Sequence, residues 1–387
     1  MVIKEKVFTR DIVLLLAASF FYLASPMVVN PLITGFSENL GAGATVMGLV
    51  GGLTNLCTLV FQPFSGNLAD RISKYKLSTV GTALLAAACI GYASAYRPGV
   101  VLFWRVVNGL GFACCSVCFS TWLSNLLPPD RIGFGMGLYG MMNAMAMTLA
   151  SSMGITLYQR FDPRLAFVFA AGCAVVSILL VQFTKDKGRP VANQKTVDRS
   201  FCLIDRNVVP VAFVIMCFTI PYCATQSFLI RYVEMRGLEI EVGLFFTIYA
   251  AALLVLRLAL HNWFDRVSFP VFLAISGMCT LLSMACLAHM ESNWGMAIAA
   301  VFMAGGYGMM CTVSQSAAVL LATPENRGLA NSTYYIGLNS GMALGPMLGG
   351  FLSGQVPIQC FFPVFMLMVP LSVILFLCSK KLLEITK

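Results

Sequence analysis

Long apolar stretches broken by short polar loops set the organisation of this 387-residue chain. A helix that spans a bilayer needs about 20 mainly apolar residues. Twelve runs reach that length: 12–34, 46–65, 77–96, 99–122, 135–157, 164–183, 208–230, 243–263, 270–290, 294–321, 330–353 and 358–378. The loops are short except at 185–207, a polar segment that carries Lys185, Lys187, Arg189, Lys195, Arg199 and Arg206 and divides the runs six and six. The pattern predicts an all-α polytopic membrane protein of twelve transmembrane helices in two six-helix bundles. The bundles are expected at 1–184 and 208–387, with 185–207 as a linker.

Composition points the same way. Charged residues make up 11% of the chain and hydrophobic ones 59%, against about 25% charged in soluble domains. A soluble globule could not hide so much apolar surface, because folded proteins still present a polar skin. The same numbers exclude disorder. The net charge of +9 comes from short basic clusters between the runs and not from one stripe that could follow a phosphate backbone, so nucleic acid is not an expected partner. With the N-terminus inside, the inner segments hold 18 Lys and Arg and the outer loops 5. The positive-inside rule then predicts both termini in the cytoplasm. The first run follows Lys4, Lys6 and Arg10 like a signal sequence, but it lacks a small-residue cleavage site and continues past Pro26, so it reads as a retained helix. Of the 14 Cys, all but Cys202 lie in apolar runs without a recurring CxxC, and they read as small hydrophobes.

The two halves repeat. At an offset of 195, Pro26 meets Pro221, Gly48 meets Gly243, and GNLADR (66–71) meets HNWFDR (261–266). At an offset of 196, Gly109 meets Gly305, Pro128 and Arg131 meet Pro324 and Arg327, and Tyr139, Asn143 and Gly154 meet Tyr335, Asn339 and Gly350. Shared Pro, Asn, Asp and Arg at a nearly constant offset argue for parallel six-helix repeats, the plan of a rocking secondary transporter with its site between the halves.

Three segments could carry mechanism. In the loop after the second run stands Gly66-Asn-Leu-Ala-Asp70-Arg71-Ile-Ser-Lys74. A Gly there allows close helix approach, and an Asp at the membrane edge can face the positive N-terminal end of a neighbouring helix, which would latch an inner gate. Asp265 and Arg266 repeat the pair in the second half, with His261 in place of the Gly. The fourth run carries Arg105-Val-Val-Asn108-Gly109-Leu-Gly111. An Arg inside a span is costly and seldom faces lipid, unless it snorkels to the nearby outer surface. The eleventh run carries Gly341-Met-Ala-Leu-Gly345-Pro346-Met-Leu-Gly349-Gly350, a smooth face for helix packing.

These segments resemble motifs of the major facilitator superfamily, over the whole length of the chain. The first resembles G-x-L-x-D-R-x-G-R-[RK] through Arg71 and departs at Ser73 and Lys74. The second is similar to R-x-x-x-G-x-G-x-A, and the resemblance implies a proton-coupling role for Arg105. The third looks like the signature that drug-efflux antiporters carry in their fifth helix, but it stands here in the eleventh. In the family, helices one, four, seven and ten line the pathway. That weights Asn30, Asn108, Tyr222, Gln226, Tyr307 and Gln315 as lining candidates, with Asn143 and Asn339 in helices five and eleven. Each is equally open to a role as an interhelical hydrogen bond. Arg257, near the inner end of the eighth run, reads as a gate or packing residue.

No carboxylate lies at mid-membrane in any run, so protonation of a central acid is not available for coupling. No P-loop, nucleophile elbow or His/Cys/Asp cluster occurs. The expectation is therefore a non-enzymatic transporter of the cytoplasmic membrane, monomeric, without cofactor or resident metal, and drug-antiporter-like in its efflux of a small organic solute. Uptake or exchange of a small anionic or neutral metabolite is the alternative. More remote are a non-transporting membrane sensor and copper(I) transport along Met141, Met145, Cys114 and Cys118. With Arg105 and Arg257 the only charges inside the helices, the ligand is expected to be neutral, zwitterionic or anionic, and Arg105 is the first candidate to meet an acidic group.

Overall fold

In the computed structural model, which describes residues 9–189, 202–260, 263, 267–353 and 355–379, all regular structure among the described residues is helical. The first unit starts with α1 (Arg10–Val29) and α2 (Ile33–Asn39), followed by α3 (Ala44–Arg71), α4 (Lys74–Ala93) and α5 (Pro98–Leu126). Next come α6 (Ile132–Met145), α7 (Ser151–Arg160) and α8 (Pro163–Gln182). Then follow α9 (Val209–Met235), α10 (Gly243–Ala259), α11 (Phe269–Ala288), α12 (Asn293–Met303), α13 (Met309–Leu321), α14 (Arg327–Ser353), α15 (Phe361–Phe365) and α16 (Met368–Leu377).

These helices trace the twelve expected spans, but four of the spans are not single α-helices. A π-helical turn at Ala146–Ala150 joins α6 to α7, and another at Ala304–Gly308 joins α12 to α13. Such turns widen the ladder by one residue and frequently mark functional positions. The twelfth span turns at Met366 and Leu367 between α15 and α16. Pro370 has no N–H to return to the Met366 carbonyl, so the helix cannot run straight through. At the other end of the chain the first run extends to Asn39, five residues beyond its expected end, through the short α2.

Among the described residues, eight helical stretches are long and apolar enough to cross a membrane by length and composition. The other spans, α3, α6–α7, α10 and α14, fall into two pairs related by the sequence repeat. α10 is apolar but 17 residues long. Many of the outward-facing residues are large and apolar, among them Val80 and Ile90 on α4, Val168 and Leu179 on α8, and Val255 on α10. In water such faces would be a liability; against lipid they are the correct surface.

Local chemistry starts several helices where they start. Thr9 accepts the Ile12 N–H (3.3 Å) before α1, and the Asp162 carboxylate accepts the Arg164 N–H (2.8 Å) with Pro163 at the first helical position of α8. These side chains satisfy N–H groups that a helix leaves unpaired in its first turn.

The chain divides into two compact units, 1–204 with 323–332, and 205–322 with 333–387. In the first, α1 packs on α8, and α5 on α3 and α4. In the second, α11 packs on α12, α9 on α16, and α10 on α12 and its π-helical turn. Thr323–Ser332, the beginning of α14 and the turn before it, groups with the first unit although α14 continues into the second.

Candidate functional site

At the end of α3, Gly66 and Asp70 lie one helical turn apart and meet the start of α14. The Asp70 carboxylate accepts the Gly328 N–H at 2.7 Å and the Leu329 N–H at 2.9 Å. These are two of the N–H groups with no carbonyl partner in the first turn of a helix, so a carboxylate there gains both hydrogen bonds and the helix-dipole interaction. The approach is close enough to demand glycine on both sides. A Cβ on Gly66 would come within 2.5 Å of the Ser332 Cβ, and one on Gly328 within 2.6 Å of Asp70 Oδ1. The Arg327 Nη1 donates to the Ser124 carbonyl (2.6 Å), Asn331 donates to the Thr121 hydroxyl (3.1 Å), and Ser332 donates to the Gln62 carbonyl (2.6 Å). The structure thus assembles a capped helix start from Gly66 and Asp70. Arg71 is exposed, whereas Lys74 is buried and accepts from the Cys118 thiol with its carbonyl (3.0 Å). His261, Asp265 and Arg266 lie outside the described residues.

Arg105 occupies a different setting from the one expected. It is 2% exposed, so it does not snorkel to a surface. Its Nε donates to the Val50 carbonyl (2.7 Å), Nη2 to the Gly51 carbonyl (3.1 Å) and Nη1 to Asn30 Oδ1 (3.1 Å). Thr54 donates back to the Arg105 carbonyl (3.3 Å). Every nitrogen of the guanidinium is engaged, and the group works as a clamp holding α5 against α3 and the end of α1. One turn further along α5, Gly109 sits against Thr54 and Cys57 of α3, and Gly111 against Gly81 of α4. Asn108, just before them and fully buried, has no partner among the described residues for either its amide nitrogen or its oxygen. Gln62, one helix away, donates to Ser116 (3.3 Å) and leaves Oε1 unpartnered. Buried polar atoms are nearly always paired, so these mark the polar interior of the first unit. Nearby, Tyr22 and Tyr139 join their hydroxyls, and Tyr22 stacks on Phe119 with ring centroids 4.5 Å apart.

The second unit gathers tyrosines around a cation. Tyr222 of α9 stacks on Tyr307 of the π-helical turn, with centroids 4.2 Å apart and planes at 16°, and it lies 5.1 Å from Tyr249 of α10. Arg257 is 7% exposed. Its Nη2 donates to the Gly308 carbonyl (3.3 Å), while Nε and Nη1 have no partner. Tyr249, Tyr307, Tyr334 and Cys311 interact with it electrostatically. Tyr334 donates to the Cys311 carbonyl (3.0 Å), and its oxygen lies 3.0 Å from the Cys311 thiol. Gln315 donates to the Tyr335 hydroxyl (3.1 Å), and the buried Asn339 leaves its amide nitrogen unpartnered.

The lining candidates therefore separate. Arg105 and Asn30 meet each other, and Tyr222 and Tyr307 meet each other. Gln315 binds Tyr335, and Asn30, Asn143 and Gln226 are exposed. Arg257, Tyr249 and Tyr334 went unweighted as ligand groups, yet the signal was in the sequence. The buried residues of α10 are Phe245, Tyr249, Leu253 and Arg257, every fourth position. That spacing puts the arginine on the inward stripe with the tyrosine.

The glycines of α14 pack on α9. Added Cβ atoms would meet the Thr219 side chain from Gly341 (2.6 Å), the Cys223 Cβ from Gly345 (2.8 Å) and the Phe228 ring from Gly349 (2.7 Å). Pro346 lies inside the helix beside Gly345. Of the sulfur pairs, Cys114 accepts from Ser65 (3.7 Å) and Cys118 donates to the Lys74 carbonyl, so the two do not converge. Among the described residues no three His, Cys, Asp or Glu side chains form a group that could hold a metal ion.

The chain matches the family model described as Major Facilitator Superfamily over residues 15–319 and 239–386. An uncharacterised MFS-type transporter of Escherichia coli K12, YhhS, is 20% identical over 357 residues, 89% of this chain and 85% of that one. The staphylopine export protein of Staphylococcus aureus Mu50 is 20% identical over 316 residues, 79% of this chain and 77% of that one. Among solved structures, the Escherichia coli fucose:proton symporter superposes with a TM-score of 0.75 at 14% identity, covering 97% of this chain and all of that one.

Proposed function

The chain belongs to the Major Facilitator Superfamily and is a multi-pass membrane transporter of a small-molecule solute, and from that premise we propose that it exports a small organic solute across the cytoplasmic membrane by alternating access. In this reading both termini are cytoplasmic, and the halves 1–184 and 208–387 move about the linker 185–207. The cap that Asp70 makes on α14 is the latch that opens and closes as access changes. The observation that supports the reading is the set of buried, partly unpartnered polar groups within the spans: Asn108 on the fourth span in one unit, and Arg257 on the eighth and Asn339 on the eleventh in the other. Such groups are costly to leave unsatisfied in a bilayer and are met most simply by water or a passing solute. The direction is supported by the export function of the staphylopine relative.

Uptake or exchange of an anionic metabolite is a second reading. It is favoured by the free donors of Arg257 and by the lack of any carboxylate at mid-span to balance them.

A solute library screened for thermal stabilisation of the purified protein supplies candidates, since a ligand of the folded state raises its stability by mass action. Each stabilising solute is then followed in proteoliposomes carrying it on one side. Solute movement that vanishes in protein-free vesicles supports transport, and faster exit from the cytoplasmic side supports export. Stabilising solutes that never cross would defeat the proposal.

A further inference from the structure

Arg257 differs from every other buried cation in the spans in having two guanidinium nitrogens with nothing to bind. Arg105 shows how the fold treats an arginine used for structure: each of its nitrogens meets an oxygen at 3.1 Å or less. Arg257 has one bond, at 3.3 Å, and is equally removed from the surface. The residue at its place in the first repeat, at the 195 offset, is Gln62, so the positive charge belongs to the second unit alone. The bond to Gly308 also sets its depth. Gly308 is the last residue of the π-helical turn, near the middle of the 29-residue span Asn293–Leu321. At about 1.5 Å per residue, some 20 Å of helix lies on either side of it. An uncompensated guanidinium at that depth, with no carboxylate at mid-span among the described residues, calls for an anion. The side chains that interact with it are aromatic and bear hydroxyls: Tyr249, Tyr307 and Tyr334 act on it electrostatically, and Tyr222 stacks on Tyr307 and lies against Tyr249.

Resting on the transporter reading and deepening it, we propose that Arg257, with Tyr222, Tyr249, Tyr307 and Tyr334, forms the anion subsite of the second unit and takes the carboxylate of an organic acid with a flat apolar body. The planar fork of Nε and Nη1 suits the two oxygens of a carboxylate. The tyrosine faces cover the body, and their hydroxyls offer further hydrogen bonds. This moves the expected acidic contact from Arg105 to Arg257.

The test uses the full chain in nanodiscs and two probes of one shape, 1-naphthoate and its neutral amide, 1-naphthamide. Equilibrium binding should favour naphthoate over the amide by at least about tenfold, the discrimination expected of a desolvated charge-assisted pair. Arg257→Gln should remove that preference and leave naphthamide affinity unchanged, and Arg257→Lys should restore part of it. A reading on the unaltered chain guards against misfolded variants. Cys311 is half-buried next to Tyr334, so its alkylation by N-ethylmaleimide, followed by peptide mass spectrometry, should be slowed by naphthoate and not by the amide. Equal affinity for the two probes, binding of neither, or no effect of naphthoate on Cys311 overturns the subsite. Transport that proceeds identically in wild type and Arg257→Gln would overturn the subsite while leaving the transporter reading intact. Naphthoate binding that depends on Arg257, without movement of any solute, would do the reverse.

Discussion

Two arginines of the same charge and similar burial do opposite work, and their hydrogen bonds say which is which. Arg105 is fully engaged by Val50, Gly51 and Asn30, so its loss leaves a gap in a three-helix junction. Arg105→Gln is expected to lower the midpoint of thermal unfolding by several degrees and the folded yield by severalfold. The preference between a carboxylate probe and its amide should be unchanged in whatever protein folds. A changed preference, read by the same binding assay, would return Arg105 to the solute path. Asp70 is the other residue whose role is written in its partners. Asn in its place keeps one acceptor oxygen and loses the charge, and helix caps of this kind contribute about 1 kcal/mol. Asp70→Asn should therefore insert and fold normally but lose at least about tenfold in transport rate, measured in vesicles at matched protein levels. A full rate would dismiss the latch.

At the scale of helices, the packing of α14 on α9 depends on an absence of side chains. Gly341, Gly345 and Gly349 each leave less than 3 Å for a Cβ against α9. The Cβ of Gly345→Ala would strike the Cys223 Cβ and the Ile220 carbonyl, both 2.8 Å away, and overpacking of this sort costs about 1–3 kcal/mol. Gly172 of α8 has open space around it and serves as the comparison. Gly345→Ala should reduce the monodisperse fraction in size-exclusion chromatography, and Gly172→Ala should not. Equal profiles would mean that the two helices part more easily than their geometry implies. The glycine-proline motif thus has a packing explanation in the eleventh span, independent of transport direction.

For the molecule as a whole, the open issue is which end faces which compartment. Asn67 holds the backbone of Cys202 at both its N–H and its carbonyl, so the linker end and the Asp70 region share one side of the first unit. In the orientation proposed from the basic clusters, that side faces the cytoplasm. An impermeant maleimide applied to intact cells, on a background without other reactive Cys, should spare Cys202 and modify a Gly237→Cys variant. Labelling of Cys202 in sealed cells would invert the orientation.

Much of the protein follows from the chain without any coordinates. Twelve runs of spanning length and the membrane setting follow from how apolar residues are spaced, because a bilayer leaves a backbone little choice but helix, and the family follows from the resemblance of the motifs. The Asp70 contact was foreseeable for a similar reason: a Gly and an Asp at the edge of a span have few other uses. Side-chain destinations were not foreseeable. Motif resemblance and charge count single out Arg105, and position near a helix end makes Arg257 a gate or packing residue, but the partner of a guanidinium depends on neighbouring helices tens of residues away in sequence. The π-helical turn at Ala304–Gly308 is a further case, since it presents Tyr307 and the Gly308 carbonyl to α9 and α10 through a register no periodicity announces. The sequence determined the spans and their count; the packing of helices against one another decided which buried polar groups are satisfied and which are left to bind something else.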